Sequence, residues 1–294
     1  MESNKFDLNV NMATYTGLGV GGPADMLFIP KTIEELSTAL KTSSIIHHPS
    51  SIHILGAGRN ILVRDGGIRG LTIMTTNLTG FEIQGNLVTA MAGQNVMQIA
   101  NKLADAGIAG FEFLSGIPGT LGGAIRGNAG AHDKNLTGIG GLIETVDIMD
   151  MQGNIKTLTA AEMGFEYRRS SLPEGHIIVS ARMRGTPDDP AKIRERMAEM
   201  RQFRLEKQPQ GVRTCGSLFK NPTGDSAGRL IDAAGWRGKE INGAMMSEKH
   251  ANFLVNTGTA TAAALENLAM EIQADVLKKF GIGLELELKI IGEK

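Results

Sequence analysis

Two polar clusters and two glycine-rich segments hold the residues of this chain that could do chemistry. In Cys215-Gly216-Ser217-Leu218-Phe219-Lys220-Asn221-Pro222 a hydroxyl follows a glycine, and an ammonium and an amide follow three and four residues later. A hydrolase nucleophile elbow reads Gly-x-Ser-x-Gly, which this segment does not. Ser217 could instead act as a proton donor. Cys215 reads as a small structural residue, since nothing beside it argues for a reactive thiolate. In Gly164-Phe165-Glu166-Tyr167-Arg168-Arg169-Ser170-Ser171 two guanidiniums stand beside a phenol. Arginine is a natural bidentate partner for a carboxylate or phosphate. The competing reading is a solvated turn with surface arginines, which sequence physics alone favours.

Residues 115–130 carry six glycines, one proline and no acidic side chain. Glycine concentrates where the chain turns sharply or approaches something closely. Backbone amides freed from regular structure can converge on an anion. The segment therefore reads as a main-chain ligand cradle or, equally, as a turn between strands. Leu55-Gly56-Ala57-Gly58-Arg59-Asn60-Ile61-Leu62-Val63 is a second candidate: a strand enters two glycines, and a polar pair precedes another strand. Its alternative is a tight hairpin. Gly17-Leu18-Gly19-Val20-Gly21-Gly22 matches Gly-x-Gly-x-x-Gly, but no apolar strand precedes it and Pro23 follows, so a dinucleotide fingerprint is rejected. The six histidines, including His47, His48, His132 and His250, form no compact ligand pattern, so no metal site is expected.

Composition limits the classes of function. With 294 residues the chain can bury a large core and divide into two or three domains. The 38 glycines are nearly twice the usual share of about 7%, favouring strand ends and ligand loops. A net charge of −1 leaves no basic field for nucleic acid or an anionic membrane, so an anionic ligand must be caught locally. One cysteine cannot form an internal disulfide, and neither an apolar signal core nor a spanning apolar run is evident. The expectation is a soluble cytoplasmic protein.

The elements that must position these residues are short. Thr32 and Glu35 make a capping box for a helix over residues 32–42. Strands are predicted over 52–55, 61–63, 71–75, 87–92, 144–149, 155–158 and 177–183. Val96, Ile99, Ala100 and Leu103 have helical spacing, closed by Gly107. Pro190 opens a charged, solvated connecting helix to Lys207, and a domain boundary is placed before it. Helices follow over 226–234 and 261–280; in the second, Leu265, Leu268, Ile272 and Val276 form the buried stripe. Residues 284–290 read as a terminal strand with Glu285, Glu287 and Lys289 on one face. The class is α+β, not a regular βαβ array.

In order, eight segments resemble one family, the UDP-N-acetylenolpyruvoylglucosamine reductases, flavoenzymes of bacterial peptidoglycan precursor synthesis. They are residues 16–22, residues 55–63, residues 116–123 with Asn128-Ala129-Gly130-Ala131, Tyr167-Arg168, Gly216–Pro222, Ala227-Gly228-Arg229-Leu230-Ile231, residues 247–253 and Leu284-Glu285-Leu286-Glu287. They span almost the whole chain, whose length resembles the shorter subtype. The resemblance implies two N-terminal α+β lobes (1–80 and 81–188) holding FAD, of the vanillyl-alcohol-oxidase type, then a substrate domain (189–294). It implies NADPH as co-substrate, a nucleotide-sugar substrate, and a monomer.

The family's reaction passes a hydride from NADPH to FAD and then to the enolpyruvyl group of UDP-N-acetylglucosamine-enolpyruvate, giving UDP-N-acetylmuramate. By resemblance Arg168 holds the substrate carboxylate. Glu287, protonated or sharing a proton, hydrogen-bonds it, and Ser217 protonates carbon. Tyr167, Lys220 and Asn221 lie near the substrate. Gly56, Ala57, Gly58, Arg59 and Asn60, with Gly116, Ile117, Pro118, Gly119, Gly122, Gly123, Asn128 and Ala129, cradle FAD. The Gly216–Pro222 block separates this reading from an oxygen-using flavin oxidoreductase on the same scaffold, since flavin binding alone does not need it. Three positions depart from the pattern. Arg59 stands where the family usually has serine. Arg126-Gly127 replaces the usual pair before Asn128. Glu285, two residues from Glu287, competes for its role.

Overall fold

A computed structural model describes residues 6–46, 52–130 and 138–294. The chain divides into two compact units, one built mainly on Leu27–Ala57 and Gly70–Phe203, the other on Leu8–Met26, Gly58–Arg69 and Arg204–Lys294. These divisions differ from cuts near 80 and 188. Residues 8–26 and 58–69 pack with the C-terminal unit, although the sequence places them in an N-terminal lobe.

In the first unit, α1 (Ile33–Ile46) begins at Thr32, whose Oγ1 accepts from the Glu35 amide at 3.1 Å. The Glu35 carboxylate reaches back to the Lys31 amide at 2.6 Å, and Leu36 and Leu40 are fully buried. The strand Ile52–Leu55 pairs in parallel with Ile68–Met74. An antiparallel sheet follows, in spatial order Ile155–Thr159, Ile143–Asp150, His176–Arg184, Leu87–Met91, Phe81–Gln84. Two helices share its core: α2 (Val96–Asp105), capped by Asn95, and the short α3 (Leu121–Arg126), capped by Thr120. Gly107 closes α2 at φ +69°, which only glycine adopts readily. The helix α4 (Pro190–Lys207) is less solvated than its charge suggests. Ile193 and Met197 enter this core, and Arg196 pairs with buried Glu112 and with Asp188. That burial keeps the start of α4 with the sheet rather than in a linker.

The second unit has an antiparallel sheet in the order Arg213–Ser217, Phe253–Asn256, Ala244–Met246, Glu240–Ile241. Its core is completed by α5 (Ala227–Ala233), capped by Ser226, and α6 (Ala262–Phe280), capped by Thr261 and closed by Gly281 at φ +68°. The predicted stripe of α6 is buried. Asp65 accepts from the Ala262 and Ala263 amides at 3.0 and 2.9 Å, and Arg64 grips Glu266 through two 2.8 Å contacts. Residues 61–69 are thereby tied to α6. The terminal strand is shorter than predicted. Only Lys289–Ile291 forms one, in parallel with Ile61–Val63, while Leu286 makes a single bridge to Phe219. No helix among the described residues is long and apolar enough to cross a membrane.

Candidate active site

In the second unit Ser217 ends a strand whose pairing with Phe253–Asn256 is irregular between Thr214 and Ser217. Gly216 makes this possible at φ +79°, with open space where a Cβ would stand. Such irregularities re-aim a side chain. Asn252 then brackets the next two residues. Its carbonyl accepts from the Leu218 amide (2.8 Å), its Oδ1 from the Phe219 amide (3.0 Å), and its Nδ2 donates to the Phe219 carbonyl (2.8 Å). From the other side, the Lys220 amide donates to the Glu285 carbonyl (2.8 Å) and the Glu287 amide to the Leu218 carbonyl (2.9 Å). Leu218, the residue after Ser217, is thus bonded to Glu287 on a neighbouring segment. Asn60 adds a 3.0 Å bond from its Nδ2 to the Glu287 carbonyl.

Asn252 belongs to one of the resembling segments, but its local sequence carries no sign of this clamp. Replacing it with alanine removes bonds to a buried main chain. Stability is expected to fall by about 1–3 kcal/mol, read as a lower urea midpoint at constant slope.

The two neighbouring carboxylates differ in environment. Glu285 is exposed, and the Lys220 ammonium holds its carboxyl below the usual glutamate range. Glu287 is half-buried, and its charge reaches the Cys215 thiol. Burial first, then the Glu287 charge, push that thiol up to about 12. Cys215 is therefore neutral in the folded protein. It is expected to resist an aromatic disulfide reagent near neutral pH and to react fully once the chain is unfolded in guanidinium. Only the unfolded chain releases this proton as pH rises past about 8.5, so stability should decline there. Asn221 is engaged on one side only. Its Oδ1 accepts from the Ala227 amide at 3.0 Å, and its Nδ2 donates to no described residue.

The segment 55–63 is not a hairpin: its two strands pair with different partners, Ile68–Met74 and Lys289–Ile291. Gly58 lies at φ +63°, and a Cβ there would meet the Tyr15 carbonyl oxygen at 2.0 Å. The amides of Ala57, Gly58, Arg59 and Asn60 donate to no described residue, and the Arg59 side chain is exposed. Gly56 abuts the second glycine segment, since a Cβ would lie 2.5 Å from Thr120 Oγ1.

Within that second segment the glycines serve different ends. Ser115, a residue sequence reasoning missed, has a buried hydroxyl with no partner among the described residues. Ile117 and Pro118 lead into Gly119 at φ +141°, where a Cβ would meet nothing. Gly116 closes the short turn that precedes them. Gly122 and Gly123 sit inside α3, and their amides are already engaged by the Ala92 carbonyl (2.8 Å) and Thr120 Oγ1 (3.4 Å). The amides of Asn128 and Ala129 likewise donate to Ile125 and Ala124. Free donors therefore lie at 57–60, while 122–129 supplies shape. The open amides of 57–60 suit an anionic diphosphate; within the first unit, the orphan Ser115 hydroxyl and the close approach of Gly56 to Thr120 suit a polar cofactor packed against main chain.

Arg168 occupies a two-residue turn between Glu166 and Arg169, whose amides and carbonyls exchange bonds of 3.0 and 3.2 Å. Its φ of +56° is a left-handed conformation that costs a side-chain-bearing residue about 1 kcal/mol or more. The guanidinium donates to the Gly130 carbonyl at 3.3 Å and lies over the Tyr167 ring, 5.4 Å from its centroid. Tyr167 is itself exposed. The described residues contain no cluster of histidine, cysteine and carboxylate suited to a metal. His47, His48, Ala131 and His132 lie outside the described residues.

The site residues thus fall into two groups. Arg168, Tyr167 and the second glycine segment belong to one unit; Ser217, Lys220, Asn221, Glu285, Glu287 and Asn60 belong to the other. Comparison with known proteins meets both. Residues 24–159 match an FAD-binding domain, and residues 208–291 match the C-terminal domain of UDP-N-acetylenolpyruvoylglucosamine reductase. The reductase of Paramagnetospirillum magneticum is 43% identical, over 98% of this chain and 92% of its own. That of Caulobacter vibrioides is also 43% identical, over 96% and 93%. The crystal structure of the Thermus caldophilus enzyme superposes with a TM-score of 0.81 at 33% identity, over 97% of this chain and 99% of its own. With near-complete coverage in both directions and a family model on each part of the chain, the chain belongs to the UDP-N-acetylenolpyruvoylglucosamine reductase family.

Proposed function

We propose that this chain reduces the enolpyruvyl group of UDP-N-acetylglucosamine-enolpyruvate to give UDP-N-acetylmuramate, an NADPH-dependent step of peptidoglycan precursor synthesis. When bound, FAD supplies the two-electron carrier between NADPH and substrate. The amides of residues 57–60, with Gly56 and Gly116–Gly119, would hold it, together with Gly122, Gly123, Asn128 and Ala129. Arg59 adds a cation at the diphosphate end.

The observation that supports this reading is the main-chain clamp that bonds Leu218, next to Ser217, to Glu287. Reduction places a hydride on the terminal vinyl carbon, and negative charge develops toward the carboxyl-bearing end. Arg168 holds that carboxylate. Glu287 shares a proton with it, a role suited to a half-buried carboxyl rather than to Glu285, which Lys220 keeps ionised. Ser217 delivers a proton to the carboxyl-bearing carbon, where positioning offsets the weak acidity of a hydroxyl. Lys220, Asn221 and Tyr167 contact the nucleotide-sugar. The enzyme works as a cytoplasmic monomer, as the family resemblance implies, and a net charge of −1 offers no basic field for nucleic acid or an anionic membrane.

The test is NADPH oxidation by purified flavin-loaded protein, with and without the enolpyruvyl substrate. Oxidation only when substrate is present supports the assignment. Flavin that cycles with oxygen and ignores the substrate refutes it.

A further inference from the structure

The segment after α3 touches the Arg168 turn at three places. Arg126 and Ser170 exchange bonds: the Arg126 guanidinium donates to the Ser170 carbonyl (3.2 Å), and Ser170 Oγ donates to the Arg126 carbonyl (3.0 Å). Ser170 is buried. Two residues on, Asn128 Nδ2 donates to the Glu166 carbonyl (2.9 Å), and its Oδ1 accepts from the Gly140 amide (2.9 Å). The third contact is the bond from the Arg168 guanidinium to the Gly130 carbonyl. Both legs of the turn are therefore gripped, Glu166 on one side and Ser170 on the other.

Asn128 is itself at φ +41°, and Gly138 leaves room for it, since a Cβ there would lie 2.5 Å from Asn128 Oδ1. A left-handed arginine persists only where its surroundings over-determine it. Arg126 stands at one of the positions where this chain departs from the family pattern, and its side chain is otherwise exposed. A guanidinium and an amide directed at the two ends of one strained turn do more than fill space.

We infer that Arg126 and Asn128 are positioning residues, which hold the Tyr167–Arg168 turn in the conformation that presents the Arg168 guanidinium to the substrate carboxylate. This rests on the function proposed above. Neither residue touches the reacting atoms. Their effect should fall on the step that uses Arg168 and spare the step that does not.

The experiment follows the two half-reactions separately in flavin-loaded protein by rapid mixing: bleaching of the flavin by NADPH, then its reoxidation by UDP-N-acetylglucosamine-enolpyruvate under anaerobic conditions. Wild type is compared with Arg126→Ala, Arg126→Lys, Asn128→Asp and Arg168→Ala. Asn128→Asp keeps the acceptor for Gly140 and loses the donor to Glu166. Expected for Arg126→Ala are wild-type flavin content, unchanged bleaching by NADPH, and reoxidation slowed by about ten- to a hundredfold with a raised substrate KM; for Asn128→Asp, which also borders the proposed flavin cradle, the reading is reoxidation per bound flavin, slowed to a similar extent. Arg126→Lys should recover part of the loss, since lysine offers one donor to Ser170.

Two results overturn the inference: wild-type reoxidation per bound flavin in both variants, or, in Arg126→Ala, both half-reactions falling together with flavin content and melting temperature, which marks a structural role alone. A wild-type enzyme whose reduced flavin ignores the substrate refutes the proposed function itself, and the inference falls with it.

Discussion

Replacing Ser217 with alanine is expected to slow reoxidation of the flavin by the enolpyruvyl substrate by roughly 10²–10⁴-fold, the usual range for a positioned proton donor. Bleaching by NADPH should keep its wild-type rate, because that step needs no proton at the substrate carbon. The side chain is small, and the clamp around it is main chain to main chain and main chain to Asn252, so the variant should fold and load flavin normally. Transient kinetics resolves the two steps. A variant that turns over at the wild-type rate would show that Ser217 gives up no proton. Equal loss in both steps would mark it as a structural residue of the strand end.

Replacing Arg168 with alanine should lower turnover on the substrate by about 10²–10³-fold, the range for removing one preorganised group that stabilises developing negative charge. Part of the loss should appear as a raised KM, because the carboxylate is also bound in the ground state. Arg168→Lys is expected to recover little. A lysine offers a single point charge and cannot form the planar two-pronged contact. The variant also tests the strained turn. Removing the guanidinium loses the bond to Gly130 but leaves the grip on Glu166 and Ser170, so stability should hardly change. Wild-type turnover would remove Arg168 from the site. A large drop in melting temperature would instead mean that the arginine holds the turn, rather than being held by it.

The local signals in this chain are strong where a few neighbouring residues settle the outcome. Thr32, Ser226 and Thr261 each accept from an amide three residues on and start a helix where their spacing predicts. Gly107 and Gly281 end helices in left-handed conformations. The strands at Ile52–Leu55 and Ile61–Val63 stand where β-branched runs predict them. The ordered motifs make the family legible as well, since each reports a short stretch of backbone that must turn, approach or donate in one way.

What the strands pair with is a different matter. A tight hairpin is the alternative reading of residues 55–63, and the partners of its two strands, Ile68–Met74 and the distant Lys289–Ile291, decide against it. The terminal run 284–290 alternates like a strand throughout, yet most of it is held by Leu218, Phe219 and Lys220 rather than by a ladder. Glu285 and Glu287 look interchangeable in sequence. Lys220 claims the first, and the second is tied through its main chain to Leu218, the residue after Ser217.

Glycine behaves likewise. Sequence reads the 115–130 segment as freed amides, whereas the carbonyl of Ala92 and the hydroxyl of Thr120 occupy those of Gly122 and Gly123 and leave those of 57–60 open. By itself the sequence determined the longer helices, the left-handed glycines that close two of them and the family, because caps, periodicity and turn chemistry act over a few bonds. Tertiary structure alone decided which amides stay free, which carboxyl Lys220 claims and which residues grip the arginine turn. Those outcomes depend on hydrogen-bond partners brought together from distant parts of the chain, and no local pattern encodes a partner.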